Sequence, residues 1–117
     1  MLTGLRRLLT MAILLMCSAG SNALSMNDFA SACEAYQGEC RNHPFLQAYV
    51  GGALDLVAML DEETSYLEKI YCIEASEFFD APRIINYMMT NKEDYENKNA
   101  MLLVIRFLEE QGGCEVR

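Results

Sequence analysis

The stretch Pro44-Phe45-Leu46-Gln47-Ala48-Tyr49-Val50-Gly51-Gly52-Ala53-Leu54-Asp55-Leu56-Val57-Ala58-Met59-Leu60 decides the fold. Its apolar residues recur at helical spacing, and Pro44 suits a first helical position, where a missing N–H costs nothing. Phe45, Leu46, Tyr49, Val50, Ala53, Leu54, Leu56, Val57 and Leu60 cover almost every face of the resulting rod. A helix apolar all round belongs at the centre of a domain, so this one is expected to be buried by the others. Gly51-Gly52 in its middle costs about 1 kcal/mol per residue against alanine. The compensation expected is close approach of a neighbouring helix backbone. Asp55 is the one ionisable group among these apolar faces. It could serve as an interaction site or an acid, but the ordinary fate of such a carboxylate is a hydrogen bond to nearby backbone or a Tyr hydroxyl.

On the N-terminal side, Ser25 followed three residues later by Asp28 is a capping signal. It opens a helix from about Met26 to Tyr36, with Phe29, Ala32 and Cys33 inward, and Gln37-Gly38-Glu39 ends it. On the C-terminal side, Asp61-Glu62-Glu63-Thr64-Ser65 reads as an exposed acidic connection, and Tyr66 to Ile73 as a short helix or an extended segment. Asp80 is a good N-cap with Pro82 in the first turn of a third helix, which carries Ile84, Ile85, Tyr87, Met88 and Met89. After the polar stretch Thr90 to Asn99, a last helix reaches Gln111 with Met101, Leu102, Val104, Ile105 and Leu108 inward, and Gly112-Gly113 stops it. No Val/Ile/Thr-rich alternating run announces a sheet. The fold class is therefore all-α: a small bundle of about four to five helices around a central apolar helix.

Residues 1–23 read as a secretory signal peptide. Arg6 and Arg7 form a positive n-region, Leu8 to Met16 is apolar apart from Thr10, and Ser21-Asn22-Ala23 offers small residues for cleavage after Ala23. That apolar run falls short of the roughly 20 residues needed to span a bilayer. A single domain, 24–117, remains. Cys17 leaves with the signal, so Cys33, Cys40, Cys72 and Cys114 form an even set in a compartment where disulfides persist. Four cysteines allow three pairings, and spacing does not choose among them. A metal site is disfavoured because no pair stands at Cys-x-x-Cys spacing.

The chain of 117 residues is 52% hydrophobic and carries 17 acidic against 9 basic side chains, a formal charge of -8. Removing residues 1–23 takes two basic residues and no acidic ones, which leaves -10. Such a chain suits neither nucleic acid nor an anionic lipid surface. The single histidine, His43, stands beside Pro44 and reads as a helix-start residue; no nucleophile motif accompanies it, so no enzyme, cofactor or metal is expected.

Tyr49, Gly52 and Asp55 stand three apart in the central helix. Cys33 precedes them, Cys72-Ile73 and Tyr87-Met88 follow, and a final apolar helix is closed by Cys114. This ordered pattern resembles the Tai/Rap group of periplasmic immunity proteins, which protect bacteria against peptidoglycan amidases delivered by type VI secretion. The likeness spans nearly all of residues 24–117, and its specificity lies in the order of short elements. Two departures bear on the disulfides: Cys40 lies several residues before the family's second cysteine, where this chain has Leu46, and Glu74 follows Cys72-Ile73 where the family often has Pro. The resemblance implies a helical domain, often a homodimer, that blocks the substrate cleft of an NlpC/P60-type cysteine amidase, partly with a protruding loop. It also gives Tyr49, Gly51, Gly52 and Asp55 a structural role.

An inhibitor needs rigid aromatic anchors and complementary charge. Two segments join carboxylates to a tyrosine: Asp61, Glu62, Glu63, Thr64, Ser65 and Tyr66, and then Glu93, Asp94 and Tyr95. Either is equally readable as an ordinary solvated connection. The first is favoured because it leaves the central helix and so stands on a firm base. The expected function is a periplasmic inhibitor; the alternative is a small periplasmic acid-stress chaperone, against which the absence of Lys-rich flexible ends counts.

Overall fold

The computed structural model describes residues 3–7, 23–64 and 68–114. Most of the expected signal peptide, with Cys17, and also Ser65 and Tyr66 lie outside the described residues. Residues 3–7 are helical and exposed. No helix among the described residues is long and apolar enough to cross a membrane.

Four further helices follow: α1 (Met26–Ala35), α2 (Pro44–Glu63), α3 (Ala81–Thr90) and α4 (Met101–Gln111). The all-α expectation holds, with no strand among the described residues. The start signals act as the side chains dictate. Ser25 Oγ accepts from the Asp28 N–H at 3.1 Å, His43 Nδ1 from the Phe45 N–H at 3.2 Å, and Asp80 Oδ1 from the Arg83 N–H at 3.4 Å. Asn99 Oδ1 accepts from the Met101 N–H at 2.9 Å. The first N–H groups of α1 also find partners across the fold, because Met26 and Asn27 donate to the carbonyls of Lys98 and Glu96 at 2.8 and 2.9 Å.

The core gathers one face from each helix. Met26 and Phe29 come from α1, Leu46, Val50, Leu54 and Val57 from α2, Ile84, Ile85 and Met88 from α3, and Leu103, Val104, Phe107 and Leu108 from α4. The inward face of α4 is rotated from the expected one: Leu102 is exposed and Ile105 half-buried, while Leu103 and Phe107 are buried. An apolar arc wide enough to accept either phase hid this. The connection before α3 contributes Tyr71 and Phe78 to the core, and with Phe79 they pack edge to face at 5.1 to 5.5 Å.

Three expectations about α2 are overturned. It is not covered on all sides, since Phe45, Leu56 and Met59 remain 59%, 52% and 54% exposed. Among the described residues no neighbouring backbone approaches Gly51 or Gly52, where an added Cβ would meet nothing within 4 Å. Asp55 is exposed, and the buried carboxylate is Asp61 instead. The physical reason is length. A helix of 20 residues extends about 30 Å, and its partners of 10, 10 and 11 residues dock along one side.

The close approach lies at Gly112, where a Cβ would sit 2.3 Å from the Leu108 carbonyl oxygen and 2.7 Å from Tyr71 Cβ. The Gly112 carbonyl accepts from the N–H groups of Cys72 and Ile73 at 2.7 and 3.1 Å. Cys72 pairs there with Cys114, and Cys33 pairs with Cys40, each with Cα atoms 5.0 Å apart. In the chain-entropy view the longer bridge is worth about 4 kcal/mol and the shorter about 2.5 kcal/mol.

Gly112→Ala is therefore expected to destabilise the fold by about 1 to 3 kcal/mol, through the clash with Leu108 and Tyr71. Gly51→Ala, free of any clash, is expected to stabilise it by about 1 kcal/mol. Urea denaturation of the two variants beside the parent checks both signs.

Candidate functional site

The favoured acidic segment divides on folding. Asp61, Glu62 and Glu63 belong to the last turn of α2, not to a connection. Asp61 is 7% exposed and unavailable to a partner, which corrects its assignment as a contact residue. Its Oδ1 accepts from the Ile70 N–H at 2.7 Å, and Lys69 Nζ lies 3.9 Å from Oδ2. A buried carboxylate needs such partners, and here the donor is the returning chain. Next to it, Tyr71 donates to Glu62 Oε1 at 3.0 Å, and Thr64 donates to the Leu60 carbonyl. Glu63 is exposed. Both flanks of 65–67 are thus pinned: the leading flank by α2, the returning flank by Asp61, Glu62, the Gly112 carbonyl and the Cys72–Cys114 bridge.

A recess of about 290 Å³ lies beside this seam, lined by Glu62, Lys69, Tyr71, Cys72, Ile73 and Glu74 along with Ala75. The second segment forms a 3₁₀ turn, Lys92–Tyr95, with Glu93 and Asp94 exposed and Tyr95 half-buried. It borders another recess of about 290 Å³, to which Tyr87, Asn91 and Glu110 contribute. Among the described residues the two recesses share no lining residue. Lys98 Nζ stands 5.2 Å from the centre of the Tyr95 ring, so a cation of the chain itself already uses that π face.

The expected structural residues part company as well. Tyr49 is half-buried, packs edge to face on Phe29 at 6.0 Å and donates to Asn99 Oδ1 at 3.5 Å, which ties α2 to the start of α4. Burial pushes its phenol above the ordinary value. Among the described residues nothing lies within 4 Å of a Cβ added at Gly51 or Gly52, and Asp55 is exposed. Sequence reasoning missed the exposed residues Phe45, Leu56 and Met59. Their signal was the same all-round apolar pattern, taken as evidence of burial. Among the described residues no group of three or more His, Cys, Asp or Glu side chains is placed to hold a metal.

Comparison of the chain with known protein families, characterised proteins and solved structures finds no match.

Two titrations follow from the geometry. Tyr71 and Tyr87 are each pushed up to about 12, first by burial and then by the carboxylates of Glu62 and Glu110 that accept their hydroxyl hydrogen bonds. Unfolded phenols ionise near pH 10.0, so between there and pH 12 the folded chain holds more protons than the unfolded one. Stability is expected to fall as pH rises through that window. Thermal melts across it should show a shallower decline once Tyr71→Phe and Tyr87→Phe are combined. At the seam, Asp61→Ala strands the Ile70 N–H and is expected to cost about 1 to 3 kcal/mol. Faster hydrogen exchange at the Ile70 amide should accompany that loss.

Proposed function

We propose that this protein is a periplasmic inhibitor that binds a type VI secreted peptidoglycan amidase of the NlpC/P60 type and occludes its active site. It would thereby protect the producing cell or its kin. The observation that carries this reading is the pinning of both flanks of 65–67 beside exposed acidic side chains. Exposed carboxylates carried on a packed helix end, such as Glu62 and Glu63, lose less conformational entropy on meeting a partner than those of a free chain. The excess of 17 acidic over 9 basic residues supports fast encounter with a basic cleft rim. The ordered pattern of cysteines, glycines and aromatics described above, which resembles the Tai/Rap group, supplies the identity of the target. Export through residues 1–23 would place the protein where the disulfides persist.

The open apolar side of α2, with Phe45, Leu56 and Met59, favours a second reading as a small acid-stress chaperone. A pull-down from periplasmic extract separates the two. One stoichiometric amidase supports inhibition; a broad set of clients captured only at acid pH supports the chaperone. With an amidase in hand, Tyr66→Ala is expected to weaken binding about tenfold or more in calorimetry. Glu63→Ala, at the exposed leading flank, should slow association and flatten its salt dependence. Unchanged affinity in the Tyr66 variant would move the contact to the turn Lys92–Tyr95.

A further inference from the structure

The two disulfides sit in different surroundings. Cys33 is 6% exposed and belongs to the apolar core, and its partner Cys40 is half-buried against that core. Cys72 is exposed and its partner Cys114 is half-buried. Cys72 also forms part of the wall of the recess of about 290 Å³ that Glu62, Lys69, Tyr71 and Glu74 line.

We propose that Cys72–Cys114 is a site of reversible thiol–disulfide exchange whose reaction partner is a dithiol, while Cys33–Cys40 is a fixed staple. Exchange requires a thiolate to reach one sulfur, and the other sulfur to leave as a thiolate. At the exposed Cys72 the approach runs from solvent, and the half-buried Cys114 leaves into partly hydrated surroundings. At the other bridge the approach is open only at Cys40. The sulfur that would then leave is Cys33, inside the core, where desolvation opposes a charge. The exchange balances in two steps. A thiolate of the dithiol bonds to Cys72 Sγ, the bond to Cys114 breaks, and its electron pair leaves on Cys114, which takes up a proton. The second thiolate of the dithiol then attacks the mixed disulfide at the dithiol's own sulfur and releases Cys72, which is protonated in turn. The bridge gains two electrons and two protons, and the dithiol becomes an internal disulfide.

The rest of the seam keeps this exchange local. The N–H groups of Cys72 and Ile73 donate to the Gly112 carbonyl at 2.7 and 3.1 Å, the Ile70 N–H to Asp61 Oδ1 at 2.7 Å, and the Tyr71 hydroxyl to Glu62 at 3.0 Å. None of these bonds passes through sulfur. Gly112 and Gly113 lie so close to Tyr71 and Ile73 that a Cβ on either glycine would meet those side chains at 2.7 and 2.6 Å. Such contacts hold Cys72 and Cys114 near the 5.0 Å Cα separation of the bridged state, so the two thiols keep a high effective concentration and the bridge re-forms. Opening it loosens the returning flank 68–73 and leaves the four long helices in place. The inference is independent of the inhibitor reading, because it uses neither 65–67 nor any toxin.

Purified, disulfide-bonded protein treated with dithiothreitol under native conditions, alkylated at intervals and read by peptide mass spectrometry, tests it. Cys72 and Cys114 are expected to be alkylated at least about tenfold faster than Cys33 and Cys40. While only that pair is open, circular dichroism should retain the helical signal, and hydrogen exchange at the Cys72 and Ile73 amides should quicken. Removing the dithiol and adding oxidised glutathione should restore both the bridge and the protection. With reduced glutathione as the probe and an acid quench, the mixed disulfide should be found on Cys72 and the free thiol on Cys114. Equal rates at all four cysteines, Cys33–Cys40 opening first, or loss of the helical signal as soon as Cys72–Cys114 opens would overturn the proposal. A glutathione adduct mainly on Cys114 would overturn it too. Amidase binding enters none of these readouts, so their failure leaves the inhibitor reading untouched.

Discussion

A helix about 30 Å long, apolar on nearly every side, is given three neighbours of roughly half its length, and that mismatch governs the rest of the structure. The neighbours bury Leu46, Val50, Leu54 and Val57 along one side. Burial of a large aliphatic side chain is worth about 1.5 to 3 kcal/mol, so this side decides where α1, α3 and α4 dock. Once it is satisfied, no described helix covers the opposite side. Phe45, Leu56 and Met59, on that side, stay more than half exposed.

At the C-terminal end of α2 the constraint changes from apolar to polar. The chain must leave the helix, return at Ile70 and run past the end of α4. The returning backbone finds two acceptors for its N–H groups: the Asp61 carboxylate for Ile70, and the Gly112 carbonyl for Cys72 and Ile73. Gly112 can serve because it has no Cβ to strike Tyr71 or the Leu108 carbonyl. The Cys72–Cys114 bridge closes the same seam covalently. Carboxylate, glycine and disulfide thus solve one problem together, and the result is a fixed base on either side of 65–67.

Much of the local structure was legible. Ser25, His43 with Pro44, and Asp80 with Pro82 announce helix starts because each supplies an acceptor or a preset φ where orphan N–H groups need them. Gly113, with φ of 71°, marks the end of α4 because side chains disfavour that backbone conformation. The acidic run was harder. Asp61-Glu62-Glu63 ends the apolar pattern and so predicts a break, yet all three are helical, and one of them is buried. Polarity reports what a side chain needs, and Asp61 found it in the Ile70 N–H, a group nine residues away whose arrival no local rule announces.

By itself, then, the amino-acid order determined the all-α class, the starts and caps of the long helices, the acidic balance and the even set of cysteines. These depend on interactions within a few residues or on composition alone. Only the tertiary structure decided that Cys33 joins Cys40 and Cys72 joins Cys114, that Asp61 rather than Asp55 is buried, and that one side of α2 stays open. Those outcomes depend on distances between segments far apart in the chain. Periodicity measures how wide an apolar arc is, but which part of it is covered depends on how much neighbouring helix the chain can bring to it.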